Sequence, residues 1–246
     1  SSAPLLLCSF TLRIPIHKSD HFSEPTLDKT RRSELAQDTL SSYESGPDAT
    51  TRATDQALAR VGESRGVVLV EGISDQIALE TLALRHGRDL NAEGVLILPI
   101  GGAQGIVHHL PRLGPMGANL RLAGLCDAAE EKIFRRNLAK AQIGSPQTRA
   151  DMERLGFFVC VDDLESELIR AVGPAKVEVI FDAQGDLGSF RTLQNQPPWR
   201  GQSVEAQMRR FLGSGARRKL RYARLLVESV DLDRVPRPLD AVLAYV

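Results

Sequence analysis

The stretch GVVLVEGISDQIALETLALRHG, residues 66–87, decides the fold. Its first residues form a β-branched apolar run, which is typical of a parallel strand buried on both faces. The residues after Gly72 have helical periodicity, with Ser74 as a candidate N-cap and Gly87 as a C-terminal stop. Between the two halves stands a carboxylate, Glu71, where the buried strand would end. The stretch therefore predicts a strand–helix unit with an acid at the carboxyl end of the strand.

Three further segments repeat this pattern. Apolar runs at 94–102, 119–127 and 157–165 predict strands, and amphipathic helical segments lie between them. Strands that alternate with helices at this spacing indicate an α/β fold with a doubly wound parallel sheet of about four strands, flanked by helices. Beyond Gly173 the periodicity is helical only. We therefore expect an α/β core followed by a helical C-terminal extension.

The domain organisation follows from a change in composition near residue 63. Residues 1–62 are polar and rich in Ser and Thr, which predicts a largely disordered segment detached from the core. A short helix over 49–61 is an alternative for its end. Residues 63–173 are predicted to form the α/β core, and residues 174–246 the helical extension that completes the domain.

Composition excludes few partners. The 246 residues carry 31 Lys plus Arg and 31 Asp plus Glu, so the net charge is zero and predicts no particular binding partner. The three cysteines, Cys8, Cys126 and Cys160, have no metal-ligand spacing and form no even disulfide set, which favours a reducing, cytoplasmic setting. No apolar segment approaches the ~18 residues that a membrane span needs, so we expect no membrane partner.

Basic residues are concentrated near the C-terminus. Residues 189–224 contain nine Lys and Arg residues and one acid, Glu205. Such a block is typical of a surface that faces phosphate groups. A solvated helix face explains the same pattern, and both interpretations stay open at this point.

Carboxylates stand at the ends of three predicted strands. They are Glu71, Asp127 and the pair Asp163 and Glu165. Ligands of open parallel sheets bind outside the carboxyl ends of the strands, so these acids are expected to share one edge. Clustered carboxylates repel one another unless a cation lies between them, and oxygen ligands suit Mg²⁺ or Mn²⁺. In the alternative, each acid caps the helix that follows, where the helix dipole favours negative charge.

Several motifs resemble the Toprim domain of topoisomerases, primases and OLD-family nucleases. They are VVLVEGISDQIALETLA, LPIGGAQG and RLAGLCDAAEE. Asp75, the fourth residue after Glu71, fits the OLD-type variant, although it is also an ordinary first-turn acid. DDLESEL resembles the later acidic motif of that family, with Glu165 at the metal-binding position. RRKLRYARLL resembles its C-terminal motif, whose lysine matches Lys219. The resemblance covers about residues 65–245.

The resemblance implies a Toprim-like (Rossmann-like) fold and metal-dependent cleavage of phosphodiester bonds in DNA, by an endonuclease that uses two Mg²⁺ or Mn²⁺ ions. The implied site consists of one metal held by Glu71, Asp127 and Glu130, a second held by Asp75, Asp163 and Glu165, Lys219 facing the phosphate, and Arg217, Arg218 and Arg221 as further phosphate contacts. Glu71, Asp127 and Lys219 are the implied catalytic residues.

Two departures from the family pattern bear on activity. The sequence contains no GxxxxGK[ST] phosphate loop, so the ABC-type ATPase that usually accompanies this domain would be encoded separately. The usual Asp-x-Asp of the second motif is Asp127-Ala128-Ala129, and Glu130 or Glu131 would have to replace the missing acid. Two alternatives therefore stay open: a metal- and nucleic-acid-binding module without catalysis, and a nucleotidyl transferase or hydrolase of small phosphates.

Overall fold

The computed structural model describes residues 48–246, which contain four strands and eleven α-helices. The strands are β1 (Gly66–Val70), β2 (Val95–Pro99), β3 (Arg121–Cys126) and β4 (Phe157–Val159). The helices are α1 (Ala49–Arg60), α2 (Ile73–Arg85), α3 (Ile106–Leu113), α4 (Glu131–Lys140), α5 (Arg149–Arg154), α6 (Leu164–Val172), α7 (Pro174–Ala183), α8 (Leu187–Gln194), α9 (Val204–Leu212), α10 (Ala216–Ser229) and α11 (Arg237–Tyr245).

The four strands form one parallel sheet in the order β2-β1-β3-β4. This confirms the predicted fold class and all four predicted strands. Two local expectations differ from the structure. Ser74 does not cap α2, because the helix begins at Ile73 and Ser74 is buried in its first turn. The last strand already ends at Val159, so Asp163 and Glu165 lie at the start of α6, beyond the strand end.

Helices cover both faces of the sheet. Val68 and Val70 face a core built with α2 and with α6 to α11, whereas Val67 and Leu69 face a second core built with α3, α4 and α5. This alternation explains why the strands read as continuous apolar runs. The C-terminal helices share an aromatic cluster, in which Phe181 lies about 5 Å from three other rings. The C-terminal extension is thus packed on the sheet.

Helix α1 is a difference from the predicted disorder of residues 1–62. Its small residues Ala53 and Ala57 are buried, and the Thr54 hydroxyl donates to the carbonyl of Pro99 at the end of β2 (2.7 Å). Small side chains let the helix approach the sheet closely although its composition is polar. The helical alternative for 49–61 is therefore the one the structure shows. The prediction for residues 1–47, and Cys8 with it, lies outside the described residues.

Helix α10 brings the C-terminal motif to the sheet edge. It packs against α2 and α6, through buried residues that include Tyr222 and Leu226. Its first turns lie beside the loop that follows β1. Within residues 48–246, none of the helices is both long enough and apolar enough to cross a bilayer.

Candidate functional site

A cavity of about 500 Å³ opens at the carboxyl edge of the sheet. Five acids line it. Asp55 comes from α1, and the other four lie around one lysine: Glu71, Asp75, Asp127, Glu165 and Lys219. These last five residues come from the ends of β1 and β3 and from the first turns of α2, α6 and α10. The structure thus brings together five of the residues predicted from the strand ends and the family motifs.

Glu71 follows β1 directly, and its backbone is fixed by the neighbouring loop. The N–H of Gly102 donates to the Glu71 carbonyl (2.9 Å), and both Gly101 and Gly102 have positive φ angles that favour glycine. Burial raises the pKa of the Glu71 carboxyl, and the negative charges of Glu130 and Glu165 raise it further. Glu71 therefore stands in an environment that favours a cation or a proton beside it.

Asp75 combines the two roles considered for it. Its Oδ2 accepts a hydrogen bond from the N–H of Gly72 (3.0 Å), so it does satisfy the start of α2. Its side chain is also buried in the cavity wall, where burial and the charge of Glu165 raise its pKa to about 7. Capping uses one carboxylate oxygen and leaves the other for a ligand.

Asp127, the acid of the second motif, does not act as a helix cap. It precedes the short 3₁₀ helix Ala128–Glu130 without any side-chain bond to that helix. Burial, followed by the charges of Asp75 and Glu71, raises its pKa to about 8. Since its side chain makes no cap and meets other acids, the surroundings of Asp127 favour a proton or a cation beside it.

Lys219 supplies the positive charge within this cluster. Its Nζ lies 3.2 Å from Glu165 Oε1. Burial works against the charged amine, but Glu165 and Asp75 outweigh that effect and raise the pKa of Lys219. The ammonium is therefore charged at neutral pH and is held at the mouth of the acidic cavity.

Asp163 is placed differently from the other predicted ligands. It caps α6 by accepting from the N–H of Ser166 (2.8 Å), and it forms an ion pair with Arg209 of α9. Burial alone would raise its pKa, but these two partners lower it. Asp163 does not line the cavity, so its contacts are those of a helix cap rather than of a free ligand.

The two glutamates that could replace the acid missing at Ala129 differ in their surroundings. Glu131 forms ion pairs with Arg135 and Arg149, which occupy both of its oxygens. Glu130 does not line the cavity, but its charge is the second cause of the raised pKa of Glu71. Glu130 is therefore the candidate that remains.

The cavity fits a divalent cation in chemistry but not yet in arrangement. Its donors are carboxylate oxygens, which Mg²⁺ and Mn²⁺ prefer. Between residues 48 and 246, however, no group of three or more His, Cys, Asp or Glu side chains is arranged to hold a metal ion. Lys219 is drawn to Glu165 in this conformation.

Most of the basic block is used within the molecule. Arg218 and Arg221, predicted to contact phosphate, form ion pairs with Asp186, which also accepts from the Tyr222 hydroxyl. Arg191, Arg209 and Arg224 likewise pair with acids of the chain. The third predicted phosphate contact, Arg217, is exposed at the start of α10. The arginines therefore serve chiefly to tie the C-terminal helices together.

One wall of the cavity was missed by sequence reasoning. It consists of side chains from α1: Thr50, Thr51, Thr54 and Asp55. The signal that could have found it is the four-residue spacing of Ala49, Ala53 and Ala57, which marks one narrow face of a helix. The surrounding residues are mostly polar, so the segment was predicted to be disordered rather than helical.

Neutralising Asp127 is expected to stabilise the protein when divalent cations are removed by a chelator. The folded protein holds a proton on Asp127 up to about pH 8, whereas an unfolded chain releases it near pH 4. The wild type therefore loses stability as pH rises through this window, and Asp127→Asn does not share that loss. At about pH 8.5 we expect Tm of the variant to be about 3–6 °C higher, with a smaller difference at about pH 5.

Thermal melts of both proteins across this pH range measure the effect. Asp182→Asn is the matched control, because Asp182 is exposed on α7 and its substitution should change Tm little at any pH. A Tm of Asp127→Asn that stays at or below the wild-type value at high pH would contradict charge repulsion in the cavity.

Comparison with known proteins finds a family model that matches the first three strands of the sheet. Residues 64–127 match the family model described as overcoming lysogenization defect protein-like, TOPRIM domain. None of the curated proteins compared with the chain matches it. The matched span contains Glu71, Asp75 and Asp127, and it ends before Glu165 and Lys219.

Solved structures extend the similarity over the C-terminal helices. The C-terminal region of the Xanthomonas campestris pv. campestris OLD protein, phased with mercury, aligns with a TM-score of 0.57 and 26% identity over 74% of this chain and 94% of that chain. The platinum-phased structure of that region aligns with a TM-score of 0.60 and 25% identity, over 76% of this chain and 93% of that chain. The C-terminal region of the Burkholderia pseudomallei OLD protein aligns with a TM-score of 0.56 and 18% identity, over 74% of this chain and 96% of that chain. At this identity the alignment shows the shared fold alone.

Proposed function

We propose that the protein hydrolyses phosphodiester bonds in DNA with the help of divalent metal ions, because residues 64–127 match the OLD-like TOPRIM domain model. The observation that carries the proposal is the meeting of five acids and one charged lysine in a single cavity. Toprim domains bind divalent metal ions, and an OLD-like domain supports a function on nucleic acid. The cavity offers carboxylates for binding a metal ion and a lysine for contact with a phosphate group.

The proposed ligands are the four cavity acids at the strand ends and the starts of α2 and α6: Glu71, Asp75, Asp127 and Glu165. Glu130 is added as the substitute for the acid missing at Ala129, since it lies close enough to Glu71 to affect its pKa. We leave Asp163 out of this set, because its two partners already neutralise it. A bound Mg²⁺ or Mn²⁺, one ion or two, would neutralise the carboxylates and polarise a phosphate oxygen.

Lys219 has the proposed role of stabilising charge on the phosphate. Its ammonium pairs with Glu165 in the present conformation. When Glu165 is neutralised in another way, the lysine is free to turn toward an anion at the cavity mouth. A preorganised cation stabilises a transition state in which charge grows on the phosphate oxygens.

A second candidate is a module that binds metal and nucleic acid without catalysis. The observation that favours it is Ala129, which stands where the resemblance expects a second acid. An ABC-type ATPase, on a separate chain or on a longer form of this one, is a proposed partner of either candidate. A cytoplasmic location is likewise part of the proposal.

Incubation of the purified protein with supercoiled plasmid tests the function. We expect millimolar Mg²⁺ or Mn²⁺ to raise Tm, because a ligand of the folded state stabilises it, and to permit nicking or cutting of the plasmid. Glu71→Gln keeps the size of the side chain and removes a charged ligand, so it should lose most of both effects. A Tm shift without cleavage by the wild type would favour the binding module, and the absence of both effects would contradict both candidates.

A further inference from the structure

Helix α1 forms one wall of the acidic cavity, beside the end of β2. Thr50, Thr51 and Thr54 line the cavity together with the acids that follow β1 and β3. The helix is fixed there from two sides, since Thr54 bonds to the end of β2 and Ala53 packs against Ile77 of α2. The wall is therefore part of the folded site.

The three threonines differ in what their hydroxyls do. The hydroxyl of Thr54 is used in the fold, because it bonds to the carbonyls of Thr50 (2.8 Å) and Pro99 (2.7 Å). Within residues 48–246, the hydroxyls of Thr50 and Thr51 have no hydrogen-bond partner. The methyl group of Thr50 lies next to Gly101, on the loop that fixes Glu71. Two unused donors thus border the cavity.

Because the cavity is mostly acidic, uncharged hydrogen-bond donors would help it to bind a phosphate group. Of the described residues that line it, Lys219 alone carries positive charge, whereas Asp55 adds a fifth carboxylate to the four acids. A nucleic-acid backbone that reached the acids would be repelled at most points of this surface. Hydroxyl groups can donate to phosphate oxygens without adding charge, and such contacts fix the position of a backbone.

We infer that Thr50 and Thr51 form a phosphate-binding wall, which holds the DNA backbone beside the acidic cluster. The inference rests on the proposed function for the identity of its ligand. It assigns to α1 the positioning of a phosphate next to the one that reacts, while the acids and Lys219 act on the reacting group. The two threonines are binding residues, and they touch no metal ligand directly in this assignment.

A double variant, Thr50→Val with Thr51→Val, removes both hydroxyls and keeps the shape of the side chains. The affinity for a short fluorescein-labelled DNA oligonucleotide is measured by anisotropy in Ca²⁺, an oxygen-binding cation. We expect Kd to rise about 10-fold or more, the scale for losing two hydrogen bonds to a charged group. The Thr50→Ser, Thr51→Ser variant keeps both hydroxyls and should bind as the wild type does.

Thr192→Val is the matched control, because its exposed hydroxyl bonds only to its own helix α8. A Kd of the double Val variant within about twofold of the wild type, or a wild type that does not bind DNA, would overturn the inference. Binding that the threonines control, without cleavage, would support the wall and contradict the proposed hydrolysis. Thermal melts of each variant separate loss of fold from loss of contact.

Discussion

Replacement of Lys219 by methionine is expected to lower the rate of plasmid cleavage about 100-fold, and to change the affinity for DNA by less than about threefold. The ammonium stands among the cavity acids, and its pKa is raised by Glu165 and Asp75. In the proposed reaction it would bring a full charge to the place where negative charge grows on the phosphate. Methionine keeps the apolar stem of the side chain, so packing at the start of α10 should be preserved.

The control is Lys176→Met, which removes a lysine whose ion pair with Asp231 lies on the surface. Cleavage rates and oligonucleotide affinities of both variants, measured side by side, separate catalysis from binding. If Lys219 only attracted DNA through its charge, its loss would raise Kd and leave kcat unchanged. That pattern, or equal behaviour of the two variants, would refute the catalytic role.

Gly105→Ala is expected to lower Tm by about 6–12 °C, which corresponds to roughly 3 kcal/mol for a domain of this size. A Cβ atom at this position would lie 1.8 Å from the carbonyl oxygen of Ile100. The clash is with backbone, so no side-chain rotation relieves it. The turn between β2 and α3 would have to open, and with it the loop whose Gly102 N–H fixes Glu71.

Gly188→Ala is the matched control for this effect. A Cβ atom there meets nothing within 4 Å, and the residue lies in α8. Alanine is the better helix former by roughly 1 kcal/mol, so Tm should stay level or rise. Equal melting of Gly105→Ala and the wild type would show that the turn relaxes at little cost.

The sheet could be predicted from the sequence because its signals are local. Each strand is a short β-branched or apolar run, and the helices between them have clear periodicity. The cap of α2 and the end of β4 were predicted less well, since hydrogen bonds rather than residue types set such ends. Three residues separate the end of β4 from Asp163, which is enough to turn an expected strand-end ligand into a helix cap.

The candidate site could be predicted only as a set of acids. Glu71, Asp127 and Asp163 look alike in sequence, since each follows an apolar run. What distinguishes them is a partner distant in the chain: Arg209 neutralises Asp163, whereas Asp127 meets other acids. The basic block was ambiguous for the same reason, because its acidic partners, such as Asp186, lie outside it.

The wall formed by α1 shows a further limit of composition. Polar residues predict disorder when a segment is considered alone, because it cannot bury enough apolar surface. In the folded chain the sheet supplies most of that surface, and two alanines suffice for the helix to dock on it. Tertiary contact therefore decides the structure of residues 49–60.

The position of Lys219 on α10 means that the site is assembled from the two ends of the domain. About 150 residues separate Glu71 from Lys219, and the helices between them must dock before the lysine reaches the acids. A partly folded chain could collect the early carboxylates while lacking the cation. Completion of folding would then decide whether the acids and the lysine share one cavity, and a misassembled molecule would keep the carboxylates without the cation.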